Sequence, residues 1–266
     1  MVDFYTAVDT AFDVIAQALS GMMSITGETD RGPARVGASI GDIGASLFAT
    51  IGILSSLQAR HRTGKGSYVD VAMLDCQLAI MENAVARYAI TGEMPRRLGS
   101  RHPLIAPFQS FPCADEPIAV CVDTQEQWVR LCHALGLPHL ITDPRFPTGS
   151  HRSARHAELE PLLDAVFRTR RRDEWLTILD EADVPSSPVN TVGEALDDPQ
   201  VRHRRMVSEV PAGSGRKFVR LPIHTPGQAG AAERPAPALG EHTGAILGGL
   251  GYDAGQIEEL RRAGIV

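Results

Sequence analysis

Among the many acids of this chain, one carboxylate stands where chemistry could be done. Asp75 follows the alternating run Ser67 to Ala72 (SYVDVA), which predicts a strand. It also lies at the start of a stripe in which Leu74, Leu78, Met81, Val85 and Tyr88 recur at helical spacing from Met73 onward. The pattern puts Asp75 in the first helical turn, at the junction of strand and helix. Backbone N–H groups there favour an anion, and ligands of α/β folds collect beyond strand ends. An acid in a first turn also simply complements the helix dipole, and position alone does not separate the two roles.

Other reactive residue types form no pattern. Cys76, Cys113, Cys121 and Cys132 lack metal-ligand spacing and the nine histidines form no ligand pair, so no metal is expected. Thiols kept reduced in a cytoplasmic setting fit best. The densest basic cluster, Arg168 to Arg172, is followed at once by Asp173 and Glu174 and reads as a solvated face. With a net charge of -6, no nucleic-acid partner is expected. No basic n-region opens the chain and no apolar run approaches about 18 residues, so neither export nor a membrane is expected.

The elements that must position Asp75 come next. Gly41 to Thr91 reads as helix, basic turn, strand and helix. Asp42 is placed to cap the first helix, whose apolar residues Ile43, Leu47, Phe48, Ile51, Leu54 and Leu57 recur with helical spacing. Gly44 and Gly52 leave room for a close neighbour, Arg60-His61-Arg62 suit the helix C-terminus, and Gly64 and Gly66 turn the chain. Upstream, Ala11 to Met23 predicts a helix with Phe12, Ile15, Leu19 and Met22 on one side. Downstream, a Gly, Pro and Arg linker over 92–107 suggests a domain boundary near residue 100.

A compact α+β stretch follows. Phe108 to Pro112 and Pro117 to Val122 predict a strand pair, and Thr124 with Gln127 predicts a capping box on a helix that Gly136 closes. Arg155 to Thr169 and Asp173 to Ala182 predict two amphipathic helices. A short helix over 192–196, two short strands in 207–213 and 217–226, and terminal helices over 241–250 and 253–263 complete the chain. At 266 residues with 43% hydrophobic and 22% charged content, this is material for one large or two modest globular domains.

Four stretches together resemble the class III CoA-transferases, the formyl-CoA, carnitine-CoA and bile-acid-CoA transferase group. They are AFDVIAQALSGMMSITGE at 11–28, GASIGDIGASLFATIGILSSLQARHRTGKGSYVDVAMLDC at 37–76, RLGSRHPLIAPFQSFPCAD at 97–115 and PALGEHTGAILGGLGY at 237–252. The resemblance implies an α/β fold: part of a large Rossmann-like domain over 1–100, a small α+β domain over 101–200, and a return segment over 201–266. It makes Asp75 the nucleophile in CoA transfer from an acyl-CoA to a carboxylic acid, through a mixed anhydride and an aspartyl-CoA thioester. It places Phe12, Asp13 and Met73 near the pantetheine arm and thioester, and His102 and Gln109 on the approach to the acyl group. Coenzyme A enters as acyl-CoA substrate.

Simpler roles stand beside these: a helix core residue for Phe12, a first-turn acid for Asp13, a structural turn for His102. The family also contains α-methylacyl-CoA racemases, which use a histidine where this chain has Phe12, and a phenyl ring accepts no proton. The glycine-rich loop of formyl-CoA transferases is not evident. The pattern is entered only around Ala11, so the nucleotide-binding half typical of the family is expected from a second chain, or from an earlier stretch of a longer protein, or is missing from a shortened, non-catalytic relative. Because family protomers interlock, an intertwined oligomer is expected, with a homodimer the simplest form.

Overall fold

The computed structural model describes residues 12–210, 214–225 and 235–266. Mixed helix and sheet fall into two compact units, Met1–Val189 and Asn190–Val266.

The first unit opens with five helices: α1 (Asp13–Ser20), α2 (Met22–Ile25), α3 (Ile40–Thr63), α4 (Met73–Ile80) and α5 (Glu82–Thr91). Where the sequence predicts one helix over 11–23, Gly21 at φ 87° turns the chain between α1 and α2. The long helix after Asp75 is likewise two, because Met81 leaves helical geometry between α4 and α5. Asp42 is not the cap of α3. The helix begins at Ile40, Ser39 occupies the cap position without a side-chain bond, and Asp42 lies within the first turn. There its charge complements the dipole. The predicted strand over 67–72 is not in a sheet among the described residues. It runs without helical or ladder bonds, because a strand exists only where a neighbour completes its hydrogen bonds.

The apolar stripe of α3 is also placed differently from expectation. Ile43, Leu47, Phe48, Ile51, Leu54 and Leu57 are exposed, as are Phe12, Ile15 and Leu19 of the preceding segment. What α3 presents to its neighbours is glycine. A Cβ on Gly44 would lie 2.8 Å from Ile80 Cδ1, and one on Gly52 would lie 2.8 Å from Val69 Cγ1. Neighbouring segments therefore lie closer to the helix axis than any larger residue would allow, and the bulky side chains are left on the outer face. An 18-residue window of the 24-residue α3 has a mean hydropathy of 1.6, which fits a membrane span by length and composition alone, as helices of soluble proteins also do.

The rest of the first unit is a three-stranded antiparallel sheet covered by helices. Strand β1 (Phe108–Phe111) pairs with β2 (Ile118–Cys121) in the register Phe108↔Cys121 to Phe111↔Ile118, and β3 (Ser186–Pro188) pairs with the other edge of β2. Helices α6 (Gln125–Ala134), α7 (Gly149–Ala154), α8 (His156–Phe167) and α9 (Arg172–Glu181) follow. The predicted capping box on α6 is present: Gln127 N–H donates to Thr124 Oγ1 (3.2 Å), and Thr124 N–H to Gln127 Oε1 (3.1 Å). Phe111, Ile118, Val120, Trp128, Leu131, Leu163, Phe167 and Trp175 form the core. Phe111 stacks on Phe167 at 4.6 Å, and Phe167 meets Trp175 edge-on at 5.3 Å. Each such side chain contributes about 1.5–3 kcal/mol by leaving water. The arginine cluster is a surface feature: Arg168 pairs with Asp164, Arg171 with Asp115, and Arg170 lies over Trp175.

The second unit holds α10 (Val192–Asp197), α11 (Pro199–His203), the antiparallel pair β4 (Val207–Glu209) and β5 (Lys217–Val219), and the terminal helices α12 (Thr243–Gly249) and α13 (Ala254–Arg262). Both strands fall where the sequence predicts them, though shorter. Residues 211–213 and 226 of those predicted runs lie outside the described residues.

Candidate active site

Asp75 occupies the first turn of α4, as the residue pattern predicts. The cap position is Ala72, which has no side-chain acceptor, so no side chain caps the amides at this helix start. The carboxylate is exposed and accepts no hydrogen bond among the described residues. The neighbouring Cys76 is buried. Burial first, and the Asp75 charge second, push its thiol up, which keeps it protonated at neutral pH and unfit as a competing nucleophile.

What fixes α4 is a buried polar network that residue spacing alone did not reveal. Gln17, Ser20 and Gln77 are buried, Gln17 and Gln77 completely. Ser20 Oγ donates to Gln77 Oε1 (3.1 Å), joining α1 to α4. Gln17 Nε2 donates to Asp13 Oδ2 (2.9 Å), and Gln17 Oε1 accepts from Val36 N–H (2.8 Å). Asp13 Oδ1 accepts from Gly41 N–H at the start of α3 (2.8 Å). A Cβ on Gly41 would come within 2.5 Å of Gln77 Nε2, 3.0 Å of Asp13 Oδ1 and 3.4 Å of Met73 Cε. Only glycine lets the three helices meet here, since the buried Gln77 amide has no room to withdraw. Asp13 and Met73 thereby meet at one three-helix junction, and Asp75, on the same helix as Met73, is exposed and shares no bond with it among the described residues. Phe12 sits at the N-cap of α1 with its ring exposed, not in the helix core. The readable signal was the spacing of Asp13, Gln17 and Ser20, polar residues recurring at i, i+4 and i+7 opposite the apolar stripe.

His102 and Gln109 belong to a second cluster around β1. His102 Nδ1 accepts from Leu104 N–H (3.2 Å) and Ile105 N–H (3.1 Å), and its ring stacks on Phe108 at 5.1 Å. Gln109 is buried and closes a ring with three residues that sequence reasoning passed over, Arg101, His156 and Glu160. Arg101 Nη1 donates to His156 Nδ1 (3.3 Å), His156 Nε2–H donates to Gln109 Oε1, and Gln109 Nε2 donates to Glu160 Oε1 (2.8 Å). Acceptance of the Arg101 bond at Nδ1 goes with a neutral His156, and the same Nδ1 lies 3.5 Å from Glu160 Oε2. No hydrogen bond among the described residues joins this ring to Asp75.

Burial holds the His156 pKa below its ordinary value of 6.5. The Arg101 charge acts the same way, and Glu160 opposes both. Unfolded chains therefore bind the proton more readily, so stability present above pH 6.5 is lost as pH falls beneath it. The expected result is that the urea midpoint of the native chain drops more between pH 7.5 and 5.5 than that of His156→Gln. Equal drops in the two proteins would refute the neutral ring.

Comparison with known proteins places the chain. Residues 6–243 match CoA-transferase family III. An acetyl-CoA:oxalate CoA-transferase of Acetobacter aceti is 37% identical over 238 residues, covering 89% of this chain and 60% of that protein. A succinate–glutarate CoA-transferase of Agrobacterium fabrum is 34% identical, covering 90% and 60%. The crystal structure of a CAIB/BAIF family protein from Brucella suis superposes with a TM-score of 0.79 at 34% identity, covering 90% of this chain and 62% of that one. The chain thus spans about 60% of the length of the curated relatives it matches. In sequence and in fold, it belongs to CoA-transferase family III.

Proposed function

We propose that this chain acts in CoA transfer from an acyl-CoA thioester to a carboxylic acid, with Asp75 as nucleophile. The observation that carries the reading is the place of Asp75 in the first turn of α4, a helix start that no side chain caps, held by a buried network. Attack by the carboxylate on the thioester carbonyl forms an Asp–O–acyl bond and breaks the C–S bond, releasing CoA thiolate. The thiolate then attacks the aspartyl carbonyl, giving aspartyl-CoA thioester and the free donor acid. An acceptor carboxylate displaces the thiolate to form a second anhydride. Final attack of the thiolate on the acceptor carbonyl yields the new acyl-CoA and restores Asp75. Each step passes through a tetrahedral oxyanion, which amides at the start of α4 are suited to stabilise.

An anhydride survives only where water is excluded. The exposed apolar faces of α1 and α3 suit a cover from a second protein surface, in a homodimer or with a partner chain, in the cytoplasm. The three-segment division at residues 100 and 200 belongs to the same reading, as do Phe12, Asp13 and Met73 on the CoA side and His102 and Gln109 on the acyl side. The relatives act on oxalate, succinate and glutarate, which makes short dicarboxylic acids the acceptor class of choice. One observation favours a second reading, a non-catalytic subunit: Asp75 is exposed and accepts no hydrogen bond among the described residues. Incubation with a panel of acyl-CoAs followed by hydroxylamine separates the two. Mass spectrometry is expected to find the hydroxamate on the peptide containing Asp75, and an unmodified peptide across the whole panel would refute the catalytic reading.

A further inference from the structure

Between α2, the α4–α5 junction and the 95–103 loop lies a cavity of about 310 Å³, at the small end of the range for ligand sites. Its floor is apolar, with Met22, Ile25, Ile80 and Met81. Its wall carries three arginines, Arg87, Arg96 and Arg101, against one acid, Glu82. Arg101 is committed to His156 and to Thr29 Oγ1 (3.3 Å). The guanidinium groups of Arg87 and Arg96 have no hydrogen-bonding or ionic partner among the described residues; Arg87 is half-buried and Arg96 is exposed. A guanidinium drawn partly out of water without a counter-charge is costly, and an anion in the cavity would remove that cost. The floor residue Ile80 follows Asp75 by five positions on the same helix, about 8 Å along its axis at 1.5 Å per residue.

We infer that this cavity binds the carboxylate of a short-chain organic acid, its hydrocarbon against the methionine and isoleucine floor and its charge between Arg87 and Arg96. A bare phosphate would gain nothing from the floor, whereas an alkyl carboxylate uses both surfaces. The choice of an acid as occupant rests on the CoA-transfer reading. The test is calorimetric titration of the full chain with glutarate and, separately, with inorganic phosphate, repeated for Arg87→Met and Arg96→Met. Both variants keep an aliphatic stem, and neither arginine holds a bond whose loss would unfold the chain.

Glutarate is expected to bind one to one and more tightly than phosphate, with affinity falling at least about tenfold in Arg87→Met, the loss of a charge-assisted bond. Three results would overturn the inference: no glutarate binding, unchanged affinity in Arg87→Met, or phosphate binding more tightly than glutarate. Turnover is not read in this experiment. A chain that binds glutarate through Arg87 but forms no hydroxamate faults only the transfer mechanism, while transfer with Arg87-independent binding faults only the cavity.

Discussion

Asp75→Ala is expected to abolish CoA exchange in any assembly that supports it, by at least about a thousandfold, the scale on which loss of a covalent nucleophile is felt. Without the carboxylate neither the anhydride nor the aspartyl-CoA thioester can form, and no described residue offers a substitute. The adjacent thiol of Cys76 is buried and kept protonated. The acid nearest in the network, Asp13, has both oxygens engaged, one by Gly41 N–H and one by Gln17. Because Asp75 is exposed and holds no bond among the described residues, its removal leaves the helix junction in place. Exchange of labelled CoA is the measurement, with the thermal midpoint as control. Retained exchange in a folded variant would remove Asp75 from the mechanism.

The largest effect on stability is expected at Arg152, a residue 1% exposed inside the second half of the first unit. Its Nε donates to the Ala106 carbonyl (2.8 Å), and its Nη1 donates to Gln125 Oε1 (2.9 Å) and to the Phe146 carbonyl (3.4 Å). The guanidinium also lies over the Trp128 ring at 4.6 Å. Burial brings its pKa down to about 10, so the group is still charged at neutral pH. That charge is held by carbonyl oxygens and a ring face, with no carboxylate paired to it among the described residues. Replacement by methionine keeps most of the volume and strands the carbonyls of Ala106 and Phe146. The expected loss is about 3 kcal/mol, since each buried acceptor left unpaired costs roughly 1–3 kcal/mol. Urea unfolding of Arg152→Met measures it. A loss under about 1 kcal/mol would show the carbonyls finding water instead.

Much of this architecture was legible because it is local. The capping box on α6, the β1–β2 pair and the amphipathic helices α8 and α9 arise from contacts within a few residues, and the spacing of Thr124 with Gln127 or of Trp175 with Leu179 records them directly. The elements that differed depend on what lies opposite. Whether 67–72 becomes a strand depends on a neighbouring ladder, and whether the α3 stripe is core depends on a surface that covers it. Neither partner is encoded in the segment itself. The four-residue ring was invisible for the same reason. His156 and Glu160 share a helix face at i, i+4, but Arg101 and Gln109 reach them from 55 and 51 positions away.

For this protein, then, the amino-acid order alone placed Asp75 at the head of a helix and tied four separated stretches to one family pattern, because residue type and spacing are enough to state both. Tertiary packing decided which side chains occupy the interior. Glycines set the approach of the helices, a buried Ser20–Gln77 hydrogen bond joins α1 to α4, and an arginine with no acid paired to it among the described residues sits in the α+β core. Burial is a property of the whole folded chain, and it converts an ordinary polar residue into a fixed one by removing the water it would otherwise bond.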